Sequence, residues 1–269
     1  MRDALVFIGR FQPFHNGHKA VIDAALEQAN QVVIVVGSSF AARNIRNPFT
    51  FEERKAMIEA CFTEPQYSTY EGAQGRIKNS RIKVVPVSDF PYDDNKWVNA
   101  IQKIVDETVP LAKDVGLIGH SKDSTSYYLN IFPRWKNHVE VPNVDGINAT
   151  DIRKMLFEDT DLKMHMSDVQ ARLHTMPWQA LLSMNQTIFH GDKIGGYWNV
   201  LAQEYQMVKK YKEAWKSAPF PPTFMTVDAV VVQSGHLLLV KRGDMPGKGL
   251  WALPGGFLNQ DETMLDGAI

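Results

Sequence analysis

A short apolar run at residues 4–8 is followed at once by the segment 9–18, which reads Gly-Arg-Phe-Gln-Pro-Phe-His-Asn-Gly-His. An apolar run that ends at a glycine predicts a buried strand followed by a loop. His15 and His18 come just before a predicted helix, so both imidazoles can lie at its N-terminus. Free backbone N–H groups and the helix dipole favour an anion there. With Arg10, the two histidines indicate a polyphosphate site; the alternative is that they are loop and capping residues without a ligand.

Strands and helices alternate through the first 145 residues. The second strand is almost wholly apolar, which is typical of a parallel sheet that helices cover on both faces. Pro86 indicates an edge strand or a strand end, because proline cannot donate to a sheet. We therefore predict an α/β fold with a doubly wound, Rossmann-like parallel sheet, whose site lies beyond the carboxyl ends of the strands. The predicted strands are 4–8, 31–37, 81–88, 115–119 and 138–141, and apolar spacing predicts helices over 21–29, 50–62 and 97–105.

The pattern becomes helical over residues 164–215 and then breaks at residues 217–222, which contain three prolines. Such a segment cannot continue a helix and predicts a stiff linker. Beyond it, two β-rich segments flank Ser234-Gly235, which predicts a hairpin. We therefore predict a first domain over 1–216 with its core at 1–160, a linker at 217–222, and part of a second domain over 223–269.

The composition is that of a globular protein without a nucleic-acid or membrane partner. Of 269 residues, 44% are hydrophobic and 22% are charged, and the net charge is −1. No apolar stretch approaches the roughly 18 residues of a membrane helix, and the N-terminus has no signal-peptide pattern. The one cysteine, Cys61, fits a reducing compartment. These features predict a cytoplasmic protein.

Two later segments add cations to the predicted site. Arg43 and Arg46 follow the second strand and are expected at the same end of the sheet. Thr150 is predicted as the N-cap of a helix that carries Arg153 in its first turn. An arginine at the positive end of a helix dipole is unfavourable unless an anion compensates it. Arg153 is therefore a candidate phosphate ligand, the alternative being a solvated surface arginine.

Three segments, at 15–18, 47–50 and 148–153, resemble the nucleotidylyltransferase superfamily, and within it the archaeal-type nicotinamide mononucleotide (NMN) adenylyltransferases. The resemblance covers about residues 1–160 and implies adenylyl transfer from ATP to NMN, giving NAD and pyrophosphate, with magnesium as cofactor. It implies that His15, His18 and Arg153 are catalytic, with His18 nearest the α-phosphate. The resemblance does not identify the metal ligands, and it leaves open whether the protein forms a homo-oligomer. The residues it assigns to ATP are Gly9, Arg10, Phe11, His15, His18, Arg46, Gly119, Thr150 and Arg153.

The second substrate needs an aromatic platform for its pyridinium ring, and Trp97 is the candidate. Periodicity alone is equally compatible with Trp97 as a core residue. Archaeal-type members carry an asparagine three residues before this tryptophan, whereas here Asp94 holds that position and Asn95 follows it. Either side chain can contact the carboxamide while the other caps the helix. The segment 119–123 is expected to border the adenine, although His120 and Lys122 also suit a solvated loop.

Two rival functions are compatible with parts of this pattern. One is another member of the superfamily, such as a pantetheine-phosphate adenylyltransferase, and the other is a non-catalytic nucleotide sensor. The segment 47–50 and Trp97 favour NAD metabolism over the first rival. The histidine pair argues against a sensor, which has no need of two imidazoles at the α-phosphate.

Residues 242–262 resemble the beginning of a Nudix hydrolase domain, which has an α+β fold. The stretch 250–257 and the spacing from Gly256 to Glu262 match the opening of the Nudix box. The resemblance implies a bifunctional protein that also hydrolyses ADP-ribose. It places the metal-binding glutamates on the helix that follows, and the printed sequence stops at Ile269, just before that helix.

We predict that the 269-residue chain does not hydrolyse ADP-ribose, because carboxylates at i, i+3 and i+4 on that helix would bind the catalytic metal ions. The measurement is release of AMP from ADP-ribose in the presence of magnesium. The same preparation should form NAD from ATP and NMN, which serves as the positive control. Robust cleavage of ADP-ribose would contradict the assignment of the metal ligands.

Overall fold

A five-stranded parallel sheet, built as the strand–helix alternation predicts, organises the first part of the chain. The computed structural model describes residues 1–66, 75–120, 128–135, 138–143, 146–158, 195–259 and 261–268. The chain divides into two units, Met1–Gly196 and Tyr197–Ile269. In the first unit the elements follow the order β1 (Arg2–Gly9), α1 (Asn16–Gln28), β2 (Ala29–Val36), α2 (Phe51–Cys61), β3 (Thr63–Gln66), β4 (Gly75–Lys78), β5 (Ile82–Pro86), α3 (Asp94–Thr108), β6 (Val115–Gly119), β7 (His138–Glu140) and α4 (Ala149–Glu158).

The strands of this sheet lie in the order β5-β2-β1-β6-β7. β1 is central, pairing with β2 on one side and with β6 on the other. The strands that follow β1 in the sequence are added first on one side of it, as β2 and β5, and then on the other, as β6 and β7. The position between β1 and β6 is therefore the topological switch point. Open parallel sheets bind ligands at the carboxyl ends of the strands beside such a point.

The five predicted strands and the helices predicted over 21–29, 50–62 and 97–105 are present, with bounds that differ by up to five residues. Of the helical prediction over 164–215, residues 164–194 lie outside the described residues. Pro86 is the last residue of β5, which is an edge strand, as its missing N–H requires. Thr50 caps α2 in a complete capping box, accepting from the Glu53 N–H while the Glu53 carboxylate accepts from the Thr50 N–H. The antiparallel hairpin of β3 and β4 was not predicted from the sequence.

Helices cover both faces of the sheet, which explains the almost wholly apolar sequence of β2. On one face, alternate residues of β1 and β2 pack with the apolar side of α3 in a buried cluster that includes Val6, Val33 and Ile101. On the other face, Phe7 contacts the ring of His18 in α1, and α1 also contacts β2. Because α1 begins directly after the β1 loop, this packing fixes its N-terminus at the carboxyl end of β1.

The second unit consists of most of a long helix followed by short antiparallel strand pairs. Ser234 and Gly235 both have positive φ between β9 and β10, which confirms the predicted hairpin. The unit begins in the first turn of the helix, so that the helix groups with the strands and the proline-rich segment 217–222 lies inside the unit. No helix in the described ranges is long and apolar enough to span a bilayer. The elements are α5 (Gly195–Ala214), β8 (Thr226–Asp228), β9 (Val232–Gln233), β10 (His236–Leu237), β11 (Val240–Lys241), β12 (Trp251–Ala252), β13 (Gly255–Phe257) and a 3₁₀ turn at Asp266–Ala268.

Arg54 of α2, which the sequence analysis did not single out, is fully buried and joins the loops at the carboxyl end of the sheet. Its Nη1 donates to the carbonyls of Arg10 and Gly37, both at 2.7 Å. Its Nη2 donates to the Ser38 carbonyl, and its Nε donates to the Thr50 carbonyl. Burial lowers the pKa of Arg54 to about 10, against the attraction of Asp89 and Glu53, so it stays charged at neutral pH. One side chain thus fixes the ends of β1 and β2 relative to α2.

We predict that Arg54→Met lowers the free energy of unfolding by about 1–3 kcal/mol or more, because it leaves buried carbonyls without a donor. The measurement is urea-induced unfolding of the variant against the parent chain. Arg134→Met is the control, since Arg134 forms an exposed ion pair with Asp106, and such pairs contribute about 0–1 kcal/mol. Equal losses in the two variants would contradict the role assigned to Arg54.

Candidate functional site

A cavity of about 310 Å³ opens at the carboxyl ends of β1 and β6, at the topological switch point of the sheet. Its volume is in the range of small-molecule sites. The strand ends, the first turn of α1 and the loop before α4 all contribute to its wall. Its lining residues are Phe7, Ile8, Gly9, Arg10, His15, Gly17, His18, Val21, His120, Tyr128, Pro142, Asn143 and Ile147.

His15 and His18 converge in this cavity, as the loop sequence predicts. Their rings stack with centroids 3.6 Å apart and an interplanar angle of 24°. His15 occupies the N-cap position of α1, but its side chain makes no capping hydrogen bond, which argues against a purely capping role. Phe11 and Phe14 pack around His18, so the ring is held in place by apolar contacts. Two fixed imidazoles beside a helix N-terminus suit a phosphate ligand.

Gly9 and Phe11 shape the loop between β1 and α1. Phe11 has φ of 51°, in the left-handed region that few large side chains adopt, and its ring folds back over Gly9. A Cβ at Gly9 would lie 2.9 Å from Cζ of Phe11, so only glycine fits there. The two residues are therefore linked by packing, with Gly9 in the cavity wall and the Phe11 ring buried beside it.

Arg10 and Arg46, which come from two other segments, lie close enough to Arg153 to repel its positive charge. Burial and, to a smaller extent, the positive charges of Arg10 and Arg46 together lower the pKa of Arg153 to about 10. The Arg153 guanidinium donates to the Gln12 carbonyl at 2.6 Å and to the Thr150 hydroxyl at 3.2 Å. Arg10 lines the cavity, so a cationic group lies beside the two histidines. Such a cluster favours an anion with several negative charges.

The predicted N-cap of α4 was wrong. The helix begins at Ala149, and the Asn148 side chain accepts from the Asp151 N–H, so Asn148 caps it. Thr150 lies inside the first turn, and its hydroxyl accepts from Arg153 instead. Arg153 accordingly lies just past the first turn. Asparagine and threonine are both good caps, and only the local backbone distinguishes them.

Gln12, a residue without an assigned role in the sequence analysis, joins two of the predicted segments. Its buried side chain donates to the Phe49 carbonyl at 2.8 Å and accepts from the Phe49 N–H at 2.9 Å. Its own carbonyl accepts from Arg153. The loop after β1 therefore holds both the segment that carries Arg46 and the side chain of Arg153. The signal in the sequence was an amide in an otherwise apolar stretch, Phe11 to Phe14.

Trp97 lies in the first turn of α3, half-buried at the edge of the core. Its ring contacts Tyr128 and Phe132, with centroids 6.0 and 5.7 Å apart. Trp97 is not among the residues of the cavity wall, but Tyr128 is. Neither Asp94 nor Asn95 caps α3, as one of them was expected to do: the Asp93 side chain accepts from the Lys96 N–H instead. Asp94 and Asn95 are the first two residues of the helix.

The residue that follows the carboxyl end of β6 also contributes to the wall of the cavity. Gly119 ends the strand, and a Cβ there would lie 3.3 Å from Leu129. His120 follows in the wall, and Lys122 lies outside the described residues. Among the residues that the structure describes, no group of three or more histidine, cysteine or acidic side chains could hold a metal ion.

Gly256 and Glu262 belong to the second unit. Gly256 is paired with Val227 between β13 and β8. The Glu262 carboxylate accepts from the backbone N–H and side-chain amide of Asn259, and these hydrogen bonds lower its pKa. Glu262 is therefore ionised at neutral pH within a local turn.

Comparison with known proteins identifies two family matches in the chain. The cytidylyltransferase-like family matches residues 6–155, which includes every segment of the cavity wall. The NUDIX domain family matches residues 222–269. The first match covers more than half of the chain, and the second begins at the last proline of the segment 217–222.

The chain is also similar to individual proteins and solved structures. A nicotinamide/nicotinic acid mononucleotide adenylyltransferase of Acinetobacter baylyi is 41% identical over 157 residues, covering 58% of this chain and 76% of the relative. A nicotinamide-nucleotide adenylyltransferase of Methanocorpusculum labreanum is 32% identical and is covered over 89% of its length by 52% of this chain. The crystal structure of a bifunctional NMN adenylyltransferase/ADP-ribose pyrophosphatase of Francisella tularensis, complexed with AMP and a manganese ion, is 35% identical with a TM-score of 0.79. The similarity covers 100% of this chain and 72% of that one.

We predict that Gln12→Ala lowers stability and also weakens ATP binding, because it frees the Phe49 backbone and with it the segment that carries Arg46. The expected loss of unfolding free energy is about 1–3 kcal/mol. The measurements are urea unfolding and calorimetric titration with ATP. Gln102→Ala is the control, since Gln102 is a buried glutamine of α3 outside the cavity wall. Unchanged ATP affinity in a folded Gln12→Ala chain would contradict this role.

Proposed function

Because this chain belongs to the cytidylyltransferase-like family, we propose that its first unit transfers the adenylyl group of ATP to NMN, forming NAD and releasing pyrophosphate. The relatives named above support NMN as the acceptor. The observation that carries the proposal is the convergence of His15, His18 and Arg10 in one cavity at the N-terminus of α1, with Arg46 and Arg153 close by.

The reaction forms one P–O bond and breaks another. A 5′-phosphate oxygen of NMN attacks the α-phosphorus of ATP, and the bond from that phosphorus to the bridging oxygen of the β-phosphate breaks. The bond electrons leave with pyrophosphate. No covalent enzyme intermediate is needed, so catalysis depends on alignment and on stabilising negative charge.

His15, His18 and Arg153 are the groups we assign to that stabilisation. The imidazoles lie at the helix N-terminus, where free N–H groups already favour phosphate. Arg10 and Arg46 repel the guanidinium of Arg153, and a polyphosphate bound among the three would offset that repulsion. Gly9, Phe11, Gly119 and Thr150 complete the proposed ATP site by shaping its loops.

Magnesium is the metal we propose for the reaction. The described residues of the cavity wall carry imidazole, guanidinium and amide groups and no carboxylate, so these residues do not suit a magnesium site made of protein ligands. Magnesium commonly binds nucleotide phosphates and water in such sites. When bound to the triphosphate it would neutralise part of its charge.

Trp97 remains our candidate platform for the nicotinamide ring, with Asp94 or Asn95 as the partner of the carboxamide. Its contact with Tyr128, a residue of the cavity wall, supports a place beside the ATP site. The name of the Acinetobacter relative includes nicotinic acid mononucleotide, so that compound is the comparison substrate. Asp94 favours NMN over it, because a carboxylate repels the acid analogue.

A second function is proposed for the protein of which the NUDIX match is a part, namely hydrolysis of ADP-ribose. The match at residues 222–269 and the similarity to the bifunctional Francisella protein support it. Gly256 and Glu262 would open the Nudix box, and Glu262 is ionised as a metal-binding carboxylate must be. We further propose that the protein acts in the cytoplasm, where ATP and NMN are available. Formation of a homo-oligomer also stays a proposal.

We predict that His18→Ala abolishes NAD formation without loss of the fold. Loss of one such donor typically lowers the rate by roughly 10²–10³. The measurement is pyrophosphate release from ATP with NMN, with nicotinic acid mononucleotide and phosphopantetheine as competing acceptors. His138→Ala is the control, since His138 lies in β7 outside the cavity wall.

Near-normal turnover by His18→Ala would contradict the proposed function. Turnover by the parent chain with phosphopantetheine alone would favour the pantetheine-phosphate enzyme. ATP binding without turnover of any acceptor would favour a sensor. Circular dichroism of both variants should match the parent chain, because neither substitution changes a backbone group of the sheet.

A further inference from the structure

The Asp89 carboxylate joins the loop after β5 to the loop after β2. Its Oδ1 accepts from the Ser38 N–H at 3.2 Å and from the Ser38 hydroxyl at 3.1 Å. A backbone hydrogen bond lies beside this contact, from the Ser39 N–H to the Val87 carbonyl at 3.3 Å. Asp89 is exposed, whereas Ser38 is buried. The contact therefore lies at the surface of the carboxyl edge of the sheet, where β2 and β5 are neighbours.

Ser38 has a backbone conformation that is unfavourable for a serine unless its surroundings hold it in place. Its φ is 48°, in the left-handed region that favours glycine. Asp89 accepts from its N–H and its hydroxyl, and its carbonyl accepts from Nη2 of Arg54 at 3.2 Å. Nη1 of Arg54 donates in turn to the carbonyl of Arg10, a residue of the cavity wall. The hydrogen bonds of Ser38 thus connect Asp89, through Arg54, to the loop that carries the phosphate-binding groups.

In the other direction, Asp89 is followed by a short hydrogen-bonded turn that leads into α3. The Asp93 N–H donates to the Phe90 carbonyl at 3.1 Å, and the Asp93 side chain caps the helix. The Trp97 N–H donates to the Asp93 carbonyl at 3.1 Å. Because these hydrogen bonds span residues 90–97, the position of Asp89 limits the position of Trp97.

We propose that Asp89 is a positioning residue for the second substrate: by holding Ser38, it fixes Trp97 relative to the phosphate-binding groups of the cavity. This inference rests on the proposed function, because it takes Trp97 to be the platform of the nicotinamide ring. Reaction between two bound substrates needs close alignment, and a misplacement of about 1 Å can lower a rate by roughly 10². Asp89 acts here through a bond between two loops and not through contact with NMN. An amide oxygen at the same position would therefore serve as well.

The test compares the equilibrium binding of NMN with that of ATP in the whole chain, measured by calorimetric titration. Asp89→Ala is expected to raise the dissociation constant of NMN about tenfold, the effect of losing one hydrogen bond to a charged group. The dissociation constant of ATP should stay nearly unchanged, because Arg54 keeps its hydrogen bond to the Arg10 carbonyl. Asp89→Asn should restore NMN binding, because an amide oxygen also accepts from both donors of Ser38.

Asp3→Ala is the matched control. The Asp3 carboxylate also joins distant segments, accepting from the N–H groups of Lys113 and Asp114 at 2.8 and 2.9 Å. Asp3 lies near the start of β1, at the end of the sheet away from the cavity. This substitution should lower the urea midpoint of unfolding and leave both dissociation constants unchanged.

Unchanged NMN affinity in Asp89→Ala would overturn the inference. Equal weakening of NMN and ATP would also overturn it, since that result would assign Asp89 to the general stability of the loops. So would an Asp89→Asn chain that binds NMN as weakly as Asp89→Ala does, because the charge and not the hydrogen bonds would then be the cause.

A parent chain that binds no NMN would overturn the inference and the proposed function together. A selective loss of NMN affinity in Asp89→Ala, when the parent chain forms no NAD, would overturn only the proposed function.

Discussion

The buried guanidinium of Arg54 is the interaction on which the geometry of the cavity depends. It joins four backbone carbonyls that follow β1, follow β2 and precede α2. Loops at strand ends otherwise have few partners, because their backbone groups lie outside the sheet. A planar donor with five N–H groups can hold several of them at once, which lysine could not do. The rigid loop after β1 then positions the two histidines.

Positively charged side chains cluster near the loops that Arg54 holds in place. Arg10, Arg46 and Arg153 come from three distant segments, and the pKa of Arg153 is lowered by burial and, to a smaller extent, by the charges of Arg10 and Arg46. Arg153 has backbone and hydroxyl partners but no carboxylate among those bonds. Arg43, by contrast, forms an ion pair with the Glu53 carboxylate at 2.7 Å. A polyanionic ligand would offset the positive charge of Arg10, Arg46 and Arg153.

Much of the site could be predicted because it consists of short local patterns at strand ends. The histidine pair, the capping box at Thr50 and the place of Pro86 follow from sequence spacing, and the structure confirms them. The predicted N-caps of α3 and α4 were wrong. The actual caps are Asp93 and Asn148, and each has a neighbour in the sequence with a similar capping propensity. The roles of Arg54 and Gln12 were missed. Both act through backbone groups far away in the sequence, and no spacing rule reports such contacts.

The sequence by itself determined the class of fold, the order of the strands along the chain and the chemistry of the loop at residues 9–18. These depend on periodicity and on residue type, which are local properties. Only the tertiary structure decided that Arg10 and Arg46 lie close to Arg153, that Gln12 links their segments, and that His120 lines the same cavity as Arg10. The physical reason is the parallel sheet. It brings the carboxyl ends of β1, β2 and β6 to one edge, and so combines side chains that lie far apart in the sequence.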